Sequence, residues 1–393
     1  MKKKVLASLL CAAMVAATLV GCGNSSEPAT ETPAAEEPAA EEPAAEEPAA
    51  EEPAEEDGGA DEAAPAGDLH FEIVSKGFQH QFWQAVLKGS EQKAAELGVT
   101  MNFVGPNSES DIADQVQMLN NAVNAQPAAI GLAALDTNAA LDGIQQAMDA
   151  GIPIIGFDSG VPGAPEGSIW ANCSTDNYAA GEMAAEETYK LIKDQITGAT
   201  GKVRIGVMNQ DATGESLINR GLGFMDKIAE LIEADGKTVS VIGNDKYVTD
   251  CKIEAKNSED GDVVIEVLVP AQVTSELSAI DCQTLLNKED TICIYGSNQH
   301  SAEGMVTANE NIGRLGKDVV GVGFDSGAVI KAAVKDGTFA GCITQAPVAM
   351  GEAVIQQLYN AATGATVEDV DTGCQWFTAE NMDDPEIAQN LYD

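Results

Sequence analysis

Gly156-Phe157-Asp158-Ser159-Gly160 and Gly323-Phe324-Asp325-Ser326-Gly327 are the same five residues, and each set closes a short apolar run. The runs, Ile152 to Phe157 and Val319 to Phe324, have the length and β-branched content of buried strands. A turn that leaves a strand at its carboxyl end lies where open α/β sheets bind ligands. The repetition predicts two lobes of equivalent build. Each offers one carboxylate, Asp158 or Asp325, to a shared cleft. Both residues could also cap the segment that follows them.

Outward from these turns, strands alternate with amphipathic stretches. Phe71 to Val74, Val99 to Val104 and Ala129 to Leu132 read as strands before the first turn. Helices are expected over Phe82 to Leu97, Asp111 to Ala125 and Ala139 to Ala150. The rhythm resumes with strands at Val203 to Met208, Val239 to Ile242, Ile292 to Tyr295, Val319 to Phe324 and Phe339 to Ile343. Helices separate them, and Met350 to Ala361 forms a last one. The fold class is α/β, with doubly wound parallel sheets in two lobes. Residues 246–271 fit the rhythm poorly, and Val263 to Val269 reads as an added strand.

The N-terminal region has a different composition. Lys2, Lys3 and Lys4 precede an apolar stretch from Val5 to Val20, the layout of an export signal. It ends Leu19-Val20-Gly21-Cys22, which resembles a bacterial lipobox and implies lipidation of Cys22. Residues 1–22 are therefore read as a lipoprotein signal peptide, an anchor rather than a span. Residues 23–68 repeat Glu-Glu-Pro-Ala-Ala, contain no Lys or Arg, and are read as a disordered acidic tether. They carry 16 carboxylates, so part of the chain's net charge of −42 belongs to the tether. The remaining 69–393 is still acidic, which argues against nucleic acid as a partner. Six cysteines remain beyond Cys22, widely spaced and without a CxxC. An even count in an exported chain permits disulfides, and buried free thiols are the alternative.

From Leu69 to about Val367 the chain resembles the ribose- and galactose-type binding proteins of bacterial ABC importers, the type I periplasmic-binding fold. Ser75 to Trp83 looks like that family's first ligand loop, with His80, Phe82 and Trp83 as its polar and aromatic members. Phe157-Asp158 and Gly323-Phe-Asp325 match its two sugar-binding aspartates. Asn219-Arg220-Gly221, Tyr295-Gly-Ser-Asn298 and Ile343-Thr-Gln345 match its Arg, Asn and hinge Gln. The resemblance implies a three-segment hinge, with crossings near Cys173–Ser174, Gln345 and Thr372. The first lobe then comprises about 69–173 plus 346–371, and the second about 174–345 plus 372–393. Cys173, Cys342 and Cys374 lie beside these crossings, and two of them are expected to bridge.

The implied ligand is a monosaccharide. Carboxylates accept from sugar hydroxyls, Arg, Asn and Gln donate, and aromatic rings cover C–H faces. Two departures bear on its identity: Ser159 follows the first Asp where the family often has Arg, and Gln299 follows Asn298 where it often has Asp. An autoinducer-2-like furanose, a nucleoside and an inositol remain alternatives, as does a receptor serving a membrane sensor. Pro270, Ala271 and Gln272 are further candidates for the cleft border. The implied partners are the small ligand, an ABC permease and the membrane through the anchor, with the chain a monomer. No cofactor or metal is expected. No HExxH, GxSxG, Walker loop or strand-following GxGxxG occurs, so an enzyme is not the reading. A LacI-type repressor, which shares the fold, would need a DNA-binding head where the signal stands.

Overall fold

The computed structural model describes residues 69–78 and 80–393. The signal peptide, Cys22 and the tether lie outside the described residues. The first lobe begins with β1 (His70–Val74), α1 (Gln81–Leu97), β2 (Thr100–Val104), α2 (Ile112–Asn124), β3 (Ala129–Leu132), α3 (Leu141–Asp149), β4 (Ile154–Phe157) and β5 (Ile169–Ser174). The chain then crosses to α4 (Asn177–Gly198), β6 (Val203–Met208), α5 (Glu215–Ala234), β7 (Val239–Gly243), α6 (Asp245–Asp250), β8 (Ala255–Lys256) and β9 (Val263–Leu268). The second lobe continues through α7 (Ser275–Leu286), β10 (Thr291–Gly296), α8 (Gln299–Ile312), β11 (Val320–Phe324), α9 (Ala328–Lys335) and β12 (Gly341–Gln345). Next come α10 (Pro347–Thr363), β13 (Val370–Asp371), β14 (Cys374–Phe377) and α11 (Pro385–Ala388).

One sheet has six strands in the order β13-β5-β4-β3-β1-β2, and the other has eight in the order β14-β12-β11-β10-β6-β9-β7-β8. All named pairings are parallel except β12 with β14. Helices cover both faces of such sheets, so central strands read as unbroken apolar runs; all of β6 is buried. The chain passes between sheets three times: after β5, after β12, and between β13 and β14.

Two helix pairs hold these layers, and each depends on glycine. In the first lobe α1 lies on α10, and a Cβ on Gly89 would sit 2.0 Å from the Val348 carbonyl oxygen. In the second lobe α4 lies on α5, and a Cβ on Gly223 would sit 2.2 Å from the Tyr178 carbonyl oxygen. The backbones approach too closely for any side chain, which fixes where α5 carries Arg220.

The segment 246–271 resolves differently from the sequence reading. Val263 to Leu268 is a strand, but it pairs directly with β6 along its whole length. That is the place β2 holds beside β1 in the first lobe. The extension is instead β7 and β8, which lengthen the sheet's far edge.

The expected cysteine bridge is also corrected: all six cysteines of the described residues are free. Cys342 and Cys374 are on paired strands, but Cys342 faces Phe377 while Cys374 faces Gln345. Three residues of register separate them, about 10 Å along a strand, beyond the span of a disulfide. Cys173 belongs to the other sheet.

Candidate functional site

The two repeated turns have the same backbone solution. Asp158 and Asp325 both take left-handed φ, 57° and 71°. Few residues other than Gly, Asn and Asp tolerate this region. Each Asp N–H donates to the neighbouring strand: Asp158 to the Cys173 carbonyl at 3.1 Å, and Asp325 to the Ile343 carbonyl at 2.6 Å. This local hook swings each carboxylate off its strand end and into the space between the lobes.

Both carboxylates are nearly inaccessible, at 3% and 4% exposure. The Arg220 guanidinium lies between them, 4.0 Å from Asp158 and 3.8 Å from Asp325. It is placed by further contacts, among them a donation to the Ser297 carbonyl at 3.4 Å. Its Nε donates to Asn177 at 2.8 Å and one Nη to Gln345 at 2.9 Å. Its plane lies over the Phe324 ring at 4.2 Å. Asn177 follows one interlobe crossing and Gln345 precedes another, so Arg220 ties the hinge to the site.

All eight residues designated from the sequence line one cavity, with Lys76, Glu109, Leu217 and Gln299 beside them. Its volume is ≈ 30 Å³, room for about one water, so a larger ligand needs the surrounding side chains or lobes to move apart. Phe82, from the first turn of α1, and Trp83 meet edge to face at 5.0 Å. The Trp83 indole donates to Glu109 at 2.7 Å. Asn298 is committed in part to structure: its oxygen caps α8 by accepting from the Ser301 N–H, and its amide donates to Gln210 at 2.7 Å. Pro270, Ala271 and Gln272 are not among the lining residues. A larger surface cavity of ≈ 370 Å³ opens beside Gly160 and Glu215, but Glu215 is its single ionisable side chain.

The sequence reading missed Lys76, Glu109 and Gln299. Glu109 follows the carboxyl end of β2, so the rule that found the aspartates also covers it. Lys76 leaves the end of β1 in the same way, within the loop already singled out. Lys76 stands 3.4 Å from Asp158 and 3.4 Å from Ser216 of the second lobe. Burial lowers its pKa, but the carboxylates of Asp158, Glu109 and Asp211 outweigh this and hold the ammonium above its ordinary value. For Glu109, burial is likewise overcome: His80, Lys76 and hydrogen bonds from Gln210 and Trp83 hold it below the ordinary range. Burial pushes Asp325 up despite Arg220 and the Gln345 and Gln299 donors.

The lobes meet around this cavity. Gln210 donates across to Glu109 at 2.6 Å, and Gln299 to Gln81 at 2.9 Å. The Ser216 N–H donates to Ser159 at 3.3 Å, and the Val273 N–H to Ser110 at 3.1 Å. Ser159 and Gln299, the two departures from the family pattern, thus serve lobe-to-lobe contact. Two polar atoms near the cavity, His80 Nε2 and Gln299 Oε1, have no partner among the described residues. Buried atoms of this kind are costly unless a ligand or water meets them. The arrangement suits a neutral, hydroxyl-rich molecule bonded to both lobes.

A periplasmic binding protein domain model matches residues 71–366. The chain is 24% identical over 309 residues to a D-allose-binding periplasmic protein of Escherichia coli, covering 77% of this chain and 87% of that one. A solved structure from Brachyspira murdochii, described as an ABC transporter of the LacI transcriptional regulator family, is 33% identical with a TM-score of 0.69. That match covers 83% of this chain and 99% of the other. A solute-binding protein of an ABC transporter from Agrobacterium vitis, solved with D-fucose, is 30% identical with a TM-score of 0.68, covering 82% and 100%. These are non-catalytic solute-binding folds. With the match spanning both lobes and the first two crossings, the chain belongs to the periplasmic binding protein domain family.

Proposed function

We propose that this chain is the extracytoplasmic solute-binding component of an ABC importer, and that it takes a monosaccharide between its lobes. The observation that carries this is the pair of buried aspartates, one from each lobe, on either side of Arg220 in a single cavity. Sugar hydroxyls donate to Asp158 and Asp325 and accept from Arg220 and Gln345. Phe82 and Trp83 supply the apolar wall. A ligand bonded to both lobes favours their closed arrangement by its differential affinity, and opening occurs at the three crossings. The closed form then presents a permease with a surface that the open form lacks. Lipidation of Cys22 and the acidic tether would keep the monomeric domain near that permease. The sugars named for relatives, D-allose and D-fucose, support the ligand class.

The test is a thermal-shift and calorimetry panel of D-allose, D-ribose, D-fucose, D-galactose, myo-inositol and adenosine. At least one monosaccharide is expected to raise Tm. Asp158→Asn and Asp325→Asn should each weaken its binding by tenfold or more, since a hydrogen bond to a charged group contributes about 1.5–3 kcal/mol. Stabilisation by inositol or adenosine alone, or by nothing in the panel, refutes the sugar reading.

A further inference from the structure

The segment after α11 returns to the cleft, and its Tyr392 touches both lobes. On the second lobe its backbone is bonded to the turn that carries Asp325. The Tyr392 N–H donates to Ser326 Oγ at 3.0 Å, and the Gly327 N–H donates to the Tyr392 carbonyl at 3.0 Å. The Ser326 N–H reaches the phenol oxygen at 3.4 Å. Two residues earlier, the Asn390 carbonyl accepts from Thr344 at 3.1 Å, beside Gln345. On the first lobe the Tyr392 ring meets Phe82 edge-on, with centroids 6.2 Å apart. It packs against the apolar cluster of Phe82, Trp83 and Phe157.

Phe82 lines the ligand cavity and Asp325 supplies its second carboxylate. Tyr392 therefore stands behind one wall residue from each lobe without lining the cavity itself. The lobe-to-lobe contacts described above are polar, and water can replace them once the lobes part. This one is aromatic and gains by excluding it, so separating the lobes must either expose the ring or strip its backbone from Ser326 and Gly327.

We propose that Tyr392 is a positioning residue and closure latch: it aligns Phe82 with the Asp325 turn and slows reopening of the closed lobes. Such a latch acts after encounter, so it lowers the dissociation rate and leaves association nearly unchanged.

The test compares wild type with Tyr392→Ala and Tyr392→Phe in two arms. The first, which rests on the sugar-binding reading, measures association and dissociation rates with D-allose, D-ribose and D-fucose as probes. Tyr392→Ala is expected to raise the dissociation rate about tenfold, the size of one aromatic contact, with association within twofold. Tyr392→Phe retains the ring and backbone bonds and should restore the wild-type rate. Equal loss in both variants, or a loss confined to association, overturns the latch. The second arm needs no ligand: solution scattering should give Tyr392→Ala a larger radius of gyration than wild type and Tyr392→Phe. If no probe binds, the sugar reading fails and this arm alone decides. Indistinguishable radii then overturn the latch too.

Discussion

Replacing Arg220 with Met removes the charge between the two aspartates while keeping much of the side-chain volume. Arg220 is 2% exposed, so solvent cannot take over its role. Its contacts with Asp158 and Asp325, at 4.0 and 3.8 Å, are each about 4 kcal/mol of Coulomb energy at an effective dielectric of 20, before relaxation. Asn177 and Gln345 also lose a donor each. Relaxation and water entry return part of this, and breaking a buried pair by removing one partner costs about 3–5 kcal/mol. The variant should therefore be less stable by that amount at pH 8, as read from the urea midpoint with m unchanged. The pH dependence gives the mechanism. Burial already pushes Asp325 up, and Arg220 is the first of the influences holding it down. Without Arg220 its folded pKa rises further above the unfolded value. Stability linked to a raised group is complete below the unfolded pKa and is lost as pH rises through the folded one. The variant's deficit should thus shrink between pH 8 and pH 5.5. A deficit below 1 kcal/mol at pH 8, or one equal at both pH values, would refute Arg220 as the neutralising group.

Gly223→Ala puts a methyl group 2.2 Å from the Tyr178 carbonyl oxygen and must push α5 off α4. It should cost about 1–3 kcal/mol in urea melts and weaken ligand binding through Arg220 on the same helix, whereas full stability would show that α4 and α5 yield freely. His300 is held down to about 4 by burial and by His80, whose ring centroid is 5.8 Å away, with Glu109 opposing. The folded state then binds fewer protons than the unfolded state between about pH 4 and 6.5, so stability present above 6.5 is lost as pH falls through that window. His300→Gln should flatten this loss by up to about 2 kcal/mol in melts at pH 7.5 and 5, and an unchanged acid slope would count against it.

Much of the site was legible because its two anchors are local. Gly-Phe-Asp-Ser-Gly states a strand end, a residue able to take left-handed φ, and a carboxylate within five residues. Its repetition supplied the symmetry. Arg220, Asn298 and Gln345 came from the resemblance, through short motifs at strand ends or on a helix that match the family's. Lys76 and Glu109 went unrecognised although they sit at equivalent ends, because a charged loop residue looks the same in sequence whether solvated or buried. Gln299 stood out only as a departure; its contact with Gln81 depends on the other lobe.

The amino-acid sequence by itself determined the α/β class, the two-lobe repeat and the carboxylate that each lobe contributes. These follow from hydrophobic period and turn chemistry, which act over a few residues. Tertiary structure alone decided the order of strands. A parallel strand buried on both faces is a plain apolar run that names no neighbour, so β9 beside β6 was not readable. It likewise decided that the cysteines stay apart, through register, and that Tyr392 reaches Phe82. Contacts between residues distant along the chain arise from how the lobes pack, and no local pattern encodes them.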